Sequence, residues 1–187
     1  DVGIEAENDL TLSAESGSIA IASAEASLVD ATLTASDQIA FRATVGGDLS
    51  VTSTAGDIEV LDGSSGNSAF ATGDILLSAL GGITTSGAIE SGASLTLSGD
   101  SIEAANTITS AGSASLSASG LIDIQDTLTA DGDISLSTAM GGITLTGGNI
   151  YSQAGAVGLD AAGDITLQGS VYSELDLNVT SSNGAVW

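Results

Sequence analysis

Five of the six aspartates that follow a glycine are the residues whose type and spacing first suggest chemistry: Asp48, Asp57, Asp74, Asp133 and Asp164. Carboxylates that recur at turns can form a stacked array for calcium, which prefers six to eight oxygen ligands. The Gly-Gly-x-Gly-x-Asp nonapeptide of calcium-binding β-rolls does not occur in the sequence. Asp and Gly also favour turns, where their groups face water. We therefore predict turn residues here, with no metal site and no cofactor.

Paired carboxylates are the second possible chemistry, because glycosidases use two carboxyl groups roughly 5–10 Å apart. The chain has 24 acidic residues, so such pairs arise on its surface by chance. It has no histidine or cysteine, and only two Phe, two Tyr, one Trp and one basic residue, Arg42. Aromatic platforms for sugars and basic groups for acidic sugars are therefore scarce. We predict no catalytic residues, and a polysaccharide-cleaving enzyme is the least favoured hypothesis.

A repeat predicts the elements that carry these residues. Eight isoleucines recur at steps of 19 to 25 residues, with a mean of about 21, and self-similarity at this period is typical of solenoids. A turn residue followed by apolar, polar and apolar residues surrounds them, as in a short strand with one buried side. The longest step predicts a loop insertion at 61–69 within a single domain, 1–187. The isoleucine row is Ile19, Ile39, Ile58, Ile83, Ile102, Ile122, Ile143 and Ile165.

Two further apolar rows accompany the isoleucines. The first row is Ile75, Leu95, Leu116, Ile134, Val157 and Leu175. The third row is Ile89, Ile108, Leu128, Ile150 and Val171. Steps of six residues, as from Leu116 to Ile122, leave room for a short strand and a turn but for no helix. Three strands per coil predict an all-β, right-handed parallel β-helix (a three-faced β-solenoid) with about eight or nine coils of about 21 residues.

Strand pleating predicts which neighbours of the isoleucines face the interior. Two positions on, the inward residues are Ile21, Phe41, Val60, Thr85, Ala104, Ile124, Leu145 and Leu167. One position on, the outward residues are Ala20, Ala40, Glu59, Thr84, Glu103, Asp123, Thr144 and Thr166. That outward mixture is too irregular to match ice or a polysaccharide lattice. The corner residues directly before the isoleucines also vary in type, so acids do not stack on acids along that edge. These residues are Ser18, Gln38, Asp57, Gly82, Ser101, Leu121, Gly142 and Asp164.

Four side chains stand apart from the repeat. Tyr151 and Tyr172 each follow a third-row residue, so we expect them on adjacent coils, as a packing pair or a small contact patch. Arg42 follows an inward phenylalanine, so it should point outward and pair with a nearby acid. Trp187 either covers the last coil or frays.

The net charge of −23 restricts the partners of the chain. With one cation to neutralise phosphate, we predict no nucleic-acid binding. Attraction to an anionic membrane is disfavoured for the same reason. No run of about 18 apolar residues occurs, so we predict no membrane insertion.

The phrases Gly-Asp-Ile-Ser-Leu at 132–136, Gly-Gly-Ile-Thr-Leu-Thr at 141–146 and Gly-Asp-Ile-Thr-Leu at 163–167 carry a family resemblance. They resemble the repeats of filamentous-haemagglutinin-like exoproteins, the large adhesins of two-partner secretion, and the likeness extends over about 9–179. The resemblance implies an extracellular or bacterial cell-surface β-helical shaft that displays an adhesive region.

Two functional hypotheses remain ahead of the enzyme. The first is a structural, non-catalytic segment of a filament or adhesin shaft, which either continues a longer β-helix or self-associates head to tail into a fibre. The second is an adhesin module that binds glycans or matrix through the loop at 61–69 or an outer face.

Overall fold

Twenty-four short strands, all paired in parallel, make up the computed structural model, which describes residues 3–26, 29–63 and 68–187. In chain order they are β1 (Gly3–Ala6), β2 (Leu10–Ala14), β3 (Ile19–Ala26), β4 (Ala31–Ala35), β5 (Ile39–Val45), β6 (Leu49–Ser53), β7 (Ile58–Val60), β8 (Ala69–Ala71), β9 (Ile75–Ala79), β10 (Ile83–Thr85), β11 (Ile89–Ser91), β12 (Leu95–Gly99), β13 (Ile102–Ala104), β14 (Ile108–Ser110), β15 (Ala114–Ala118), β16 (Ile122–Ile124), β17 (Leu128–Ala130), β18 (Ile134–Thr138), β19 (Ile143–Leu145), β20 (Ile150–Ser152), β21 (Val157–Ala161), β22 (Ile165–Leu167), β23 (Val171–Ser173) and β24 (Leu177–Ser181).

The strands stack into a β-solenoid of about eight turns with about 20 residues per turn. One sheet of nine strands, in the order β2-β4-β6-β9-β12-β15-β18-β21-β24, forms what we call the first face. A second sheet of fifteen strands carries the other two faces. The second face is led by the isoleucine row, and the third face contains β8, β11, β14, β17, β20 and β23. These two faces are continuous through β3 and β5, which are long enough to pass the corner between them.

The isoleucine row is confirmed over its full length. Backbone pairing aligns all eight isoleucines, from Ile19 with Ile39 to Ile143 with Ile165. The same pairing aligns the predicted inward residues two positions on and the predicted outward residues between them. The third row is also confirmed, and it extends backwards through small residues such as Ala69 and Ala43.

The first row was wrong at two positions. Ala114, not Leu116, pairs with Leu95 and Ile134, because Leu116 occupies the second inward position of the same strand. Leu177, not Leu175, pairs with Val157. The five-residue strands of this face have three inward positions, as Ala114, Leu116 and Ala118 show in β15, and an alanine at the first position does not stand out from its neighbours.

The interior is a single apolar cluster that runs along the rod. Leu33, Phe41, Leu97 and Leu136 are among its fully buried members, and each such side chain stabilises the fold by roughly 1.5–3 kcal/mol.

The predicted insertion at 61–69 overlaps β8 at its last residue, and 64–67 lie outside the described residues. In the described ranges, no helix is long and apolar enough to cross a membrane.

Candidate functional site

Five of the six Gly-Asp corners connect neighbouring coils through their carboxylates. Oδ1 of each aspartate accepts the backbone N–H of the equivalent corner residue in the next coil, at 2.8 Å in every case. The donors to Asp48, Asp57, Asp74, Asp133 and Asp164 are the N–H groups of Asp74, Gly82, Ser94, Ala156 and Ala185. These corners are exposed, as predicted for turns, but the bond to the next coil was not foreseen.

The glycine before a corner aspartate has a separate role. A Cβ on Gly73 would overlap the carboxylate of Asp48 from the preceding coil, and a Cβ on Gly47 would overlap that of Asp30. The glycine therefore leaves room for the carboxylate of the preceding coil. The aspartate that follows the glycine places its own carboxylate against the next coil. The Gly-Asp pair thus helps to hold neighbouring coils together.

Acids do stack along one edge of the solenoid. The prediction that they do not holds for the edge before the isoleucine row, but the residues before the first four strands of the first face are all aspartates. They are Asp9, Asp30, Asp48 and Asp74. Within the described part of the chain, no group of three or more acidic, histidine or cysteine side chains has the arrangement to hold a metal ion. Hydrogen bonding between coils accounts for the three carboxylates from Asp30 onward.

Buried serines satisfy the backbone at other corners, and the sequence reasoning missed them. Ser152 Oγ donates to the Gly132 carbonyl at 2.8 Å and accepts the Gly155 N–H at 3.0 Å. Ser110 and Ser91 make equivalent bonds to carbonyls of the preceding coil. A Ser-x-x-Gly spacing at the end of a strand, as in 152–155 and 181–184, is a sequence signal for some of these corners, but Ser91 and Ser110 lack it.

The outward side of the first face is a regular array of hydroxyl groups, which we call the hydroxyl face. Its strands from β2 to β18 present two outward residues each, and thirteen of these fourteen are Ser or Thr. The members are Thr11, Ser13, Thr32, Thr34, Ser50, Thr52, Ser78, Thr96, Ser98, Ser115, Ser117, Ser135 and Ser137, with Leu76 as the exception. Strand geometry spaces them by about 4.8 Å across strands and about 6.7 Å along them.

The residues that follow the isoleucines give no indication of this array. Those residues lie on the second face and include Glu59, Glu103 and Asp123, so the predicted irregularity of that face is confirmed. From β2 to β18 the hydroxyl face has no charged member, on a chain with a net charge of −23. The phrase apolar-Thr-apolar-Ser, at 10–13 and at 95–98, would have revealed it.

The second face carries an acidic cleft of about 470 Å³ beside its corners. Its carboxylates belong to Asp57, Glu59 and Asp100, and Gln38 and Thr84 complete its polar wall. Oδ1 of Asp57 already accepts a hydrogen bond from the Gly82 N–H.

Further along this face, Gln125 Nε2 donates to both Glu103 and Asp123, at 2.9 and 3.0 Å. The amide links two like charges on adjacent coils.

Tyr151 and Tyr172 stack on adjacent coils of the third face, with ring centroids 4.7 Å apart and an angle of 14° between the planes. This confirms the predicted cross-coil packing pair. Tyr172 Oη donates to Glu174 Oε2 at 2.7 Å. That hydrogen bond, followed by the negative charge of Glu174, raises the pKa of Tyr172 above its ordinary value of 10.0.

Arg42 differs from its prediction. It occupies an outward position of β5, but it forms no ion pair with any described residue, and its Nε is buried without a hydrogen-bond partner. The aliphatic stem lies close to Gly63, at the base of the 61–69 segment. The hydroxyl of Ser68, next to the same glycine, is also buried and unpartnered.

The last coil leaves strand edges and apolar side chains uncovered. β23 and β24 pair with β20 and β21 on one edge, and no described strand pairs with the other. Leu177, which faces the interior in register with Val157, is 48% exposed, and Val186 is 50% exposed. Trp187 is held by hydrogen bonds between its backbone and β22, but it is 74% exposed and covers little of the end.

Comparison with protein-family models, with curated proteins and with solved structures gives no match.

Proposed function

We propose that the chain is a stiff structural segment of the shaft of an extracellular or bacterial cell-surface filament or adhesin. The observation that carries this proposal is the unbroken register of the isoleucine row over eight coils. At about 4.8 Å per coil, those seven steps extend about 34 Å along the axis. Backbone bonds along that axis make the coil stack resistant to bending, which is what a spacer requires. The phrases that resemble filamentous-haemagglutinin-like repeats support the same function.

The shaft has no catalytic role in this proposal. The carboxylates of the acidic cleft stand among hydroxyl and amide groups, and one of them holds the next coil. Incubation with acidic glycans should release no reducing ends and form no unsaturated products. Turnover that disappears in a Glu59→Gln variant would contradict this part of the proposal.

In this proposal, filament growth occurs end to end through strand edges, such as the edges of β23 and β24 that pair with no described strand. An open strand edge is a template for another strand, and a head-to-tail contact that does not close forms a fibre. Partners are therefore a second copy or a continuation of the same β-helix, while the charge of −23 disfavours nucleic acid and anionic membranes.

Electron microscopy combined with sedimentation tests this function. The isolated chain should form thin rods that lengthen with protein concentration and give an axial repeat near 4.8 Å in fibre diffraction. A Leu177→Glu variant should keep the β-sheet circular dichroism and lose the lengthening, whereas Leu76→Glu on the hydroxyl face should retain both. Short monomeric rods at every concentration would contradict end-to-end growth, and a globular particle would contradict the shaft itself.

A second candidate, an adhesin module for glycans or matrix, is favoured by the hydroxyl face. The two rows of Ser and Thr hydroxyl groups are uncharged hydrogen-bond donors and acceptors, which suits a neutral, hydroxyl-rich ligand. Such a ligand has no negative charge that the acidic residues of the other faces would repel. The chain should then sediment with insoluble neutral polysaccharides, and a Ser115→Glu/Ser117→Glu variant should not. A Thr144→Glu variant on the second face is the control, and an empty glycan array would count against this role.

A further inference from the structure

We propose that Tyr151 and Tyr172 are a site of oxidative cross-linking, at which a one-electron oxidant joins the two rings through a carbon–carbon bond. The oxidant is of the peroxidase class, with hydrogen peroxide as the final electron acceptor. The product is a dityrosine that covalently links the coil of β20 to the coil of β23. This modification lies within one chain, goes beyond the shaft proposed above and does not depend on it.

The backbone holds the two rings next to each other. Tyr151 pairs with Tyr172 in the register of β20 and β23. Ile150 and Ser152, on either side of Tyr151, are fully buried, so the ring between them points away from the interior. The ring centroids lie 4.7 Å apart, and the planes differ by 14°. Radical coupling requires that two rings meet, and rings that are already in contact do so without diffusion.

Both rings are accessible to an oxidant from the outward side of the third face. Tyr151 is 40% exposed and Tyr172 is 44% exposed. The strand of Tyr151 has neighbours on both sides, β17 and β23, and its ring is still open to solvent. An outward tyrosine of this face therefore stays accessible within a continuous stack of coils. The site does not require that the solenoid stop after β23.

Glu174 provides an acceptor for the phenolic proton of Tyr172. The hydroxyl of Tyr172 donates to Glu174 Oε2 at 2.7 Å, which is within reach for direct proton transfer. The same hydrogen bond raises the pKa of Tyr172, so the ring is a neutral phenol near neutral pH. A phenol that loses an electron becomes a strong acid, and the adjacent carboxylate can take its proton at once. We therefore expect Tyr172 to be the ring that is oxidised first.

The reaction balances as a loss of two electrons and two protons. Each ring loses one electron and one proton and becomes a neutral phenoxyl radical. The two radicals couple between one ortho carbon (Cε) of each ring, which forms the new carbon–carbon bond. The hydrogen on each coupled carbon then moves to the phenol oxygen of its own ring, which restores both aromatic rings. Hydrogen peroxide takes up the two electrons and two protons and leaves as two molecules of water.

The sequence offers the oxidant few other targets. It has no cysteine, one methionine, one tryptophan and no tyrosine besides these two. Met140 is exposed, but a thioether is oxidised to its sulfoxide rather than coupled to a ring. Trp187 is also exposed, but its backbone is bonded to β22, which lies on another face from the tyrosines. Ring coupling is therefore expected at the stacked pair.

Peroxidase and hydrogen peroxide, added to the purified chain, test this site. The product should run as a monomer on a denaturing gel and show dityrosine fluorescence. A protease that cuts after acidic residues should release the Tyr151 and Tyr172 peptides as one joined species, because Asp160 and Asp164 lie between the two tyrosines. Its mass should equal the sum of the two peptides less two hydrogen atoms. The yield per chain should stay constant when the protein is diluted about tenfold, since the reaction is unimolecular in protein.

A displaced pair of tyrosines is the matched control. Tyr151→Phe/Thr109→Tyr keeps two outward tyrosines on the third face, but it separates position 109 from Tyr172 by three coil steps. Their Cα atoms would be about 14 Å apart. This variant should keep the β-sheet circular dichroism and form at least about tenfold less internal dityrosine, because its rings are not held together.

Glu174→Gln tests the proton acceptor separately. This variant keeps the tyrosine pair but replaces the carboxylate with an amide, which is a much weaker base. The initial rate of cross-linking should fall several-fold, while prolonged oxidation should still give the internal product. Glu103→Gln removes the same charge from the second face and should leave the rate unchanged. Equal rates in the two variants would overturn the role of Glu174.

Three results would overturn the cross-linking site itself. The first is an equal yield of internal dityrosine from the displaced pair, which would show that stacking does not direct the coupling. The second is dityrosine found only in dimers and larger species, which would show that the rings couple between chains. The third is oxidation of Met140 to the sulfoxide without any dityrosine, which would show that the oxidant reaches the chain and the rings do not couple.

Discussion

Asp48 and Asp74 are joined across neighbouring coils, because Oδ1 of Asp48 accepts the backbone N–H of Asp74 at 2.8 Å. The residue before Asp74 is Gly73, whose missing Cβ leaves the space that this carboxylate fills. The same carboxylate hydrogen bond recurs at other Gly-Asp corners, so a local turn signal in the sequence is also a contact between coils 20 to 26 residues apart.

Two substitutions of Asp48 distinguish the contribution of its hydrogen bond from the contribution of its negative charge. Asp48→Asn keeps the acceptor and removes repulsion from Asp30 and Asp74, so the free energy of unfolding should be unchanged or higher. Asn149 already makes the equivalent bond to Ser170 N–H, at 3.1 Å. Asp48→Ala should lose about 1 kcal/mol.

Urea unfolding monitored by circular dichroism measures both changes at Asp48. Asp131→Ala is the control, because it removes an exposed acid that makes no such bond. If Asp48→Ala proved as stable as this control, the carboxylate bond would contribute nothing to the stack.

Ser152 should be essential to its corner. Its hydroxyl is fully buried and serves both the Gly132 carbonyl and the Gly155 N–H. Ser152→Ala leaves both groups without this partner, so the free energy of unfolding should fall by about 1–3 kcal/mol. Ser135→Ala on the hydroxyl face should change it by less than about 0.5 kcal/mol. Equal midpoints in urea for the two variants would refute this role of the serine.

Thr85 is the opposite case, a buried hydroxyl without a partner. It lies in the inward row between Val60 and Ala104, fully shielded from solvent, and its Oγ1 makes no hydrogen bond. Thr85→Val has nearly the same shape and removes the unsatisfied group, so it should raise the free energy of unfolding by about 1 kcal/mol. The neighbouring outward variant Thr84→Val should have almost no effect. A lower thermal midpoint for Thr85→Val would show that a water or another group satisfies this hydroxyl.

Gly158 interrupts the hydroxyl ranks beyond β18. A Cβ there would meet no atom within 4 Å, and the backbone needs no positive φ. Gly158→Thr should therefore raise the free energy of unfolding by about 0.5–1 kcal/mol, because glycine costs entropy within a strand. Gly17→Thr should lower the same quantity, because Gly17 has a φ of 110°. Thermal melts of the two variants should shift in opposite directions.

The architecture was predictable because large β-branched and aliphatic residues recur once per coil and face. The isoleucine row needed no other information. The first row failed at Ala114 because a small residue fills its position, and at Leu175 because a large apolar residue lies in an exposed corner. The repeat period of the sequence does not show which inward position of a strand a given apolar residue occupies.

The surface features were less predictable because they depend on which residues become neighbours across coils. The hydroxyl face is visible only when the first face is aligned strand by strand. The serine corners require knowledge of which carbonyl lies 17 to 20 residues earlier. Arg42 was expected to pair with an acid because acids are abundant, but packing near Gly63 buries its Nε instead.

Tyr172 offers a spectroscopic test of the last coils. Its hydroxyl donates to Glu174, which raises its pKa, so absorbance at high pH should show Tyr172 ionising above its ordinary pKa of 10.0. Glu174→Gln removes the charge and should bring the pKa of Tyr172 back towards 10.0. Because the folded-state pKa is raised, the stabilisation is complete below pH 10 and disappears as the pH rises through the folded-state value. Glu103→Gln, on another face, should leave the titration unchanged. A Tyr172 pKa that stays raised in Glu174→Gln would assign the shift to stacking on Tyr151 rather than to the carboxylate.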